Sequence, residues 1–240
     1  MLFFRKLKKY NHKYIRFSSG IRLHYVDEGD EKAPLMILLH GWPEFWYSWR
    51  YQIDHFKAKY RVVAVDQLGF GESDKPDDVN AYSMDLLAKY LDLLIHGLGY
   101  DKAVVVGHDW GGAVAWWHAI NYPQSVNDLI VLNLPHPAVF RKLLMTNIKQ
   151  YMFVFQTPWL PEIMLATEDF KIFEMMYWGR LGLQLNKNNV THEDMEAWKY
   201  TFGKPGALTA PLNYYRCFFQ HPPHQMARKC KVVMDLLTRE

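Results

Sequence analysis

The sequence predicts an α/β fold built on a mostly parallel sheet with flanking helices. Two observations carry that expectation. The apolar runs "LMILLH" (35–40), "RVVAVD" (61–66), "AVVVGH" (103–108) and "DLIVLN" (128–133) have the character of strands buried on both faces. Helical periodicity separates them, and alternation of apolar strands with helices is the pattern of parallel pairing through crossovers.

The elements follow in order. Residues 14–28, "YIRFSSGIRLHYVDE", form two strand-like runs around Ser19-Gly20, a hairpin signal. Met84, Leu87, Leu91, Leu94, Ile95 and Leu98 keep helical spacing, with Ser83 as N-cap and Gly97 and Gly99 at the end. A second helix should start after Asp109 and run to about Asn121, stopping before Pro123. After Pro135-His136-Pro137 the pattern changes: 138–222 reads as Met- and aromatic-rich helical segments broken by Pro and Gly, with no clear strand. The expected division is therefore a core over 1–137, a helical insertion over 138–222, and a divergent remnant over 223–240.

Composition narrows the classes. A chain of 240 residues, 50% apolar and 22% charged, can bury one sizeable core with an insertion. A net charge of +3 gives no reason to expect nucleic acid. The one basic cluster, Arg5-Lys6-Leu7-Lys8-Lys9, fits either peripheral contact with an anionic membrane surface or a solvated terminus. "MLFF" before it is far too short to span a bilayer, and no signal-peptide pattern follows. Cys217 and Cys230 make no disulfide framework, so the expected location is the cytoplasm or the cytoplasmic face of a membrane, not the secreted space. Aromatic residues concentrate near 42–51 and 151–178, which suits either a large core or an aromatic-lined pocket.

The chemistry centres on "VVVGHDWGGAVAWW" (104–117), where a strand meets a helix at a turn crowded with small residues. A nucleophile displayed at such an elbow needs small neighbours because the backbone there is strained. The apex is Asp109, with Gly107 before it and Gly111 and Gly112 after it. The plain alternative is that Asp109 only caps the following helix. A second motif, His40-Gly41-Trp42-Pro43, follows a buried strand. A third, "VDQLGFGESDKP" (65–76), has Gly-x-Gly without the remainder of a dinucleotide or phosphate-loop motif, so nucleotide binding is not favoured and a packing loop is.

These three motifs, in this order and on these strands, resemble the α/β-hydrolase fold, and within it the epoxide hydrolase branch, animal members in particular. The resemblance extends from about residue 14 to about residue 226. It implies a helical cap inserted after strand 6, and an oxyanion hole formed by the backbone N–H groups of Trp42 and Trp110. It also implies Asp109 as nucleophile. The chemistry agrees: attack on a saturated carbon by Ser would leave an inert ether, whereas a carboxylate leaves an ester that water can open. The family places a ring-opening tyrosine in each of two cap motifs. "QYMFVFQTPWLPE" (150–162) puts Tyr151 at the first position and "GALTAPLNYYRCFF" (206–219) puts Tyr215 at the second. Their hydroxyls would stabilise the departing oxygen. Related haloalkane dehalogenases commonly carry Asn where Trp42 stands, and a fluoroacetate dehalogenase would carry Arg where Trp110 stands. The resemblance implies no cofactor and no metal, with a small apolar epoxide and water as partners.

There are departures. Gln67 replaces a frequent Arg, which should alter loop packing. More seriously, the catalytic His and its acid come from later strand-end loops in the family, and the last residues here do not resemble that segment. The expectation is a C-terminally truncated chain, lacking the last core strands and impaired in the hydrolytic step. No other histidine replaces it well: His108 should point away from Asp109, His40 belongs to the oxyanion turn, and His136, His221 and His224 flank the cap. A zinc site at His221-Pro-Pro-His224 lacks further ligands. Asp128 lies at the wrong end of its strand. The competing readings are a non-enzymatic or unstable truncated form, since an open strand edge invites aggregation, and a haloalkane dehalogenase.

Overall fold

The structure, a computed structural model, describes residues 6–139, 150–180 and 182–220. Six strands run β1 (His12–Arg16), β2 (Arg22–Glu28), β3 (Leu35–Leu39), β4 (Arg61–Asp66), β5 (Ala103–His108) and β6 (Val126–Leu132), and they join one sheet in the order β1-β2-β4-β3-β5-β6. β1 and β2 form the antiparallel hairpin, and β2 continues antiparallel onto β4. β4, β3, β5 and β6 are parallel. The sheet is thus mixed but mostly parallel, as the apolar strands predict.

Every residue of β3 and β4 is buried, because strands flank both edges of each and helices cover the sheet. α1 (Arg50–Phe56) packs near β4, while α2 (Met84–Gly97) and α3 (Trp110–Asn121) lie beside each other. β6 departs from the expectation of a fully buried strand. Among the described residues it pairs only with β5, so Ile130 and Leu132 are 46% and 43% exposed. Ser83 stands at the start of α2 without a side-chain capping bond, so the apolar face against the core holds that helix rather than its cap.

The strand order places the site. β3 leads to β4 on one side, and β5 then enters on the other side of β3. Such a reversal opens a crevice at the carboxyl ends of the two strands. His40-Gly41-Trp42 leaves β3 there, and Asp109 leaves β5 there.

The described residues after β6 are helical: α4 (Gln150–Val154), α5 (Leu160–Tyr177), α6 (His192–Phe202) and α7 (Thr209–Gln220). Hydrogen bonds tie this layer to the sheet loops. The Trp198 indole donates to Pro43 O at 2.9 Å and the Tyr214 hydroxyl to Leu68 O at 2.8 Å. Asp194, 3% exposed, forms a capping box with Thr191 and also accepts from the Tyr47 hydroxyl at 2.9 Å. Arg50 at 3.5 Å and Lys6 at 3.4 Å complete its surroundings. Lys6 and Lys9, half of the basic N-terminal cluster's charge, are thereby engaged with Asp194 and with Asp54; Arg5 lies outside the described residues, as do His221, His224, Cys230 and the tail over 223–240. No helix among the described residues is long and apolar enough to cross a membrane.

Candidate active site

Asp109 occupies the junction of β5 and α3 with φ 50° and ψ −120°. A non-glycine residue in this region carries strain on the order of 1–3 kcal/mol. Close backbone packing enforces it. A Cβ at Gly107 would come within 2.3 Å of Gly111 O, so β5 can meet α3 only through glycine. A Cβ at Gly41 would come within 2.5 Å of Asp109 Cβ, so the β3 turn can approach the apex only with glycine there.

The side chain of Asp109 is not a helix cap. It makes no capping bond to α3, because the strained φ turns the carboxylate toward the β3 turn instead. There Trp42 N–H donates to Oδ1 at 3.0 Å, and Trp110 N–H bears on the same carboxylate. Burial pushes the Asp109 carboxyl above the usual value, and these two N–H groups together with His108 pull against that rise.

Tyr151 and Tyr215 meet over this point from α4 and α7. Their rings lie 6.1 Å apart at 81°, and each phenol bears on the other's titration. Burial, and then the negative charge of Asp109, raises both phenols above the ordinary tyrosine value, Tyr215 strongly so. Both therefore stay protonated as donors. The Trp110 ring stands 4.9 Å from the Tyr215 ring, edge to face, and its indole pulls against the rise of the Tyr215 phenol. Arg216, next to Tyr215, fastens the two cap segments: it donates to Phe155 O at 3.1 Å and to Glu162 at 2.9 Å. All five residues expected from the sequence thus lie in one neighbourhood: Asp109, Trp42 and Trp110 below, Tyr151 and Tyr215 above. Trp42, Phe155, Met152, Leu165 and Leu212 complete an apolar shell.

His108 has a supporting place behind the β3 turn. Its Nδ1 lies 2.9 Å from Glu44 Oε2, and its Nε2 lies 3.1 Å from Asn133. Glu44 in turn accepts from Gly41 N–H at 2.8 Å. The pair braces the turn after β3: Glu44 lifts the His108 pKa, and His108 keeps the Glu44 carboxyl low despite burial. The strand alternation hid this because His108 is the last residue of β5, where the pleat already gives way to the turn. The signal was the acidic residue four after His40. Of the two readings open for the aromatic residues near 42–51, the core accounts for most of them. Phe45, Trp46, Tyr47 and Trp49 belong mostly to the core, packed among Tyr10, Tyr177 and Trp198; only Trp42 among them enters the shell around Asp109.

The remaining motif residues serve packing. His40 is fully buried; its Nδ1 lies 2.8 Å from Gly41 O, and Gln67 N–H donates to its Nε2 at 3.2 Å. The Gln67 side chain also donates to His40 O, joining the β3 and β4 loops. The Gly-x-Gly loop packs between His40 and α7, through Phe70 and Leu68. A separate pocket between the sheet and α2, lined by Leu23, Leu39, Leu87 and Leu91, contains none of the five site residues.

A buried carboxylate at the β5–α3 turn thus shares one neighbourhood with two main-chain N–H groups and two phenols. A family model of the alpha/beta hydrolase fold matches residues 34–171. Epoxide hydrolase 4 of Homo sapiens is 46% identical over 88% of this chain and 60% of its own length. The AB hydrolase superfamily protein YfhM of Bacillus subtilis is 41% identical over 83% of this chain and 70% of its own. An epoxide hydrolase from Bacillus megaterium, solved with an inhibitor, superposes with a TM-score of 0.78 at 32% identity, over 90% of this chain and 75% of that one. The chain belongs to the α/β-hydrolase family, in its epoxide hydrolase branch. It spans about 60% of the length of the human relative.

Proposed function

We propose that this chain opens epoxides through an ester on Asp109. One observation carries the reading: Oδ1 of Asp109 is held by Trp42 N–H while two protonated phenols stand over the same carboxylate. With Oδ1 engaged, the other oxygen attacks an epoxide carbon. The C–O bond breaks, its electron pair stays on oxygen, and Tyr151 and Tyr215 supply hydrogen bonds and a proton to that alkoxide. A phenol is needed here because an alkoxide is a poor leaving group; a halide would not need it, which favours epoxide over haloalkane chemistry.

Hydrolysis is the second step. Water adds to the ester carbonyl, and the Trp42 and Trp110 N–H groups stabilise the oxyanion that develops on oxygen. Collapse releases a vicinal diol and restores the carboxylate. The water requires a base, and among the described residues no imidazole hydrogen-bonds to Asp109. We therefore expect these 240 residues to complete alkylation and to hold the ester. The shell of Trp42, Met152, Phe155, Leu165 and Leu212 suits an apolar epoxide.

The test is intact mass spectrometry of the 240-residue chain after exposure to styrene oxide. The expected result is a persistent adduct of one substrate mass on Asp109, absent from Asp109→Ala. Sustained diol production would overturn the arrested second step. Absence of both the adduct and the diol would overturn the epoxide reading itself.

A further inference from the structure

The Trp42 residue carries two N–H groups, and the reaction described above uses only one. The backbone N–H is bonded to Asp109. The indole Nε1–H is buried and has no hydrogen-bond partner among the described residues. It lies in the shell that any substrate on Asp109 must touch: its ring stands 5.1 Å from Phe155 and 6.2 Å from Tyr215. The phenol donors of that shell, Tyr151 and Tyr215, are the ones assigned above to the departing oxygen, and the Trp110 indole bears on Tyr215.

A buried donor without an acceptor is a standing cost, recovered when a ligand brings an acceptor to it. Of the neighbouring side chains Met152, Phe155, Leu165 and Leu212, none offers an oxygen or nitrogen acceptor. We propose that the Trp42 indole N–H reads the substrate, so that the site favours epoxides bearing an uncharged oxygen acceptor, such as an ether, close to the epoxide ring over plain alkyl epoxides. This rests on the epoxide reading above and adds the substrate class. Indole at this position therefore does what a phenyl ring of similar shape could not: it packs on Phe155 and offers a hydrogen bond.

The experiment compares butyl glycidyl ether with 1,2-epoxyoctane, which match in length and differ by one oxygen for one methylene. The readout is the ratio of their alkylation rates, measured as adduct mass, in the full chain and in Trp42→Phe. Phenylalanine keeps the ring contact and the backbone N–H and removes only the indole donor. The ether-to-alkyl ratio should fall roughly 3- to 10-fold in the variant, the value of one recovered neutral hydrogen bond. General loosening of the site lowers both rates and leaves the ratio unchanged, and an unchanged ratio overturns the proposal. Butyl glycidyl thioether on the unaltered chain gives a check that needs no variant: sulfur is a weak acceptor, so its rate should approach that of epoxyoctane, and a rate equal to the ether's counts against an indole bond. If neither epoxide alkylates the chain, the epoxide reading fails and this one with it; alkylation by both with an unmoved ratio removes only the indole assignment.

Discussion

The floor and the roof of the active site are built by different means. The floor is backbone: Asp109 is aimed by a strained φ, and its carboxylate is met by main-chain N–H groups from Trp42 and Trp110. The roof is side chain: Tyr151 and Tyr215 are brought together by aromatic packing and by the Arg216 bonds across α4, α5 and α7. Backbone geometry is fixed by sterics and tolerates little, whereas a packed roof can shift while retaining its contacts. The floor should therefore respond to substitution by loss of geometry, and the roof by graded loss of donor strength.

The largest effect sharpens the roof. Tyr151→Phe combined with Tyr215→Phe removes both donors from the alkoxide and should slow alkylation roughly 10²- to 10⁴-fold, with adduct formation timed by mass spectrometry. Either single variant should lose less, because the partner phenol remains; a single loss equal to the double would show that only one phenol acts. Next comes the floor. Gly41→Ala drives a Cβ to within 2.5 Å of Asp109 Cβ. Relieving that contact by a shift of about 1 Å should cost about 10²-fold in alkylation, with a fall in thermal midpoint from about 1–3 kcal/mol of overpacking.

Smaller still is the brace. Glu44→Gln should lower the His108 pKa, followed by the imidazole proton shifts in NMR, since Glu44 is the main cause of its rise. The sign of the stability effect follows. A His whose folded pKa is raised lends stability that is full below about 6.5 and fades as pH climbs through the raised value. The Glu44→Gln variant should lose that dependence. The smallest effect is the acid limb of alkylation. Burial raises the Asp109 carboxyl, so the attacking carboxylate is lost at a higher pH than an ordinary aspartate near 3.8 would give, and the rate should begin to fall above that point.

How far the sequence carried the site follows the same division. Gly107, Gly111 and Gly41 could be read from sequence because a single close contact at each excludes every other residue, and such exclusions leave a fixed spacing. The buried strands were legible for the same reason, through runs without polar breaks. Tyr151 and Tyr215 could be picked from an aromatic-rich region only through the family's motifs, because helical periodicity does not say which ring lies over a carboxylate. The Glu44–His108 brace stayed hidden because it joins two turns 64 residues apart, and strand alternation fails at the last residue of a strand. β6 looked buried because its residues are apolar, but a strand's exposure depends on neighbours that its own sequence does not encode.

The buried Asp194 shows what holds floor to roof. It joins the start of α6 to Tyr47 and Arg50 on the core and to Lys6 near the N-terminus. Its surroundings keep the carboxyl below the ordinary range although burial opposes them. The stabilisation is thus present above the ordinary aspartate value and is lost as pH falls through the depressed one. Protonating this one carboxyl weakens its bonds to three segments at once. Acid should therefore loosen the start of α6 from the core and from Lys6, while the Tyr214 and Trp198 bonds to the sheet loops, which carry no charge, persist.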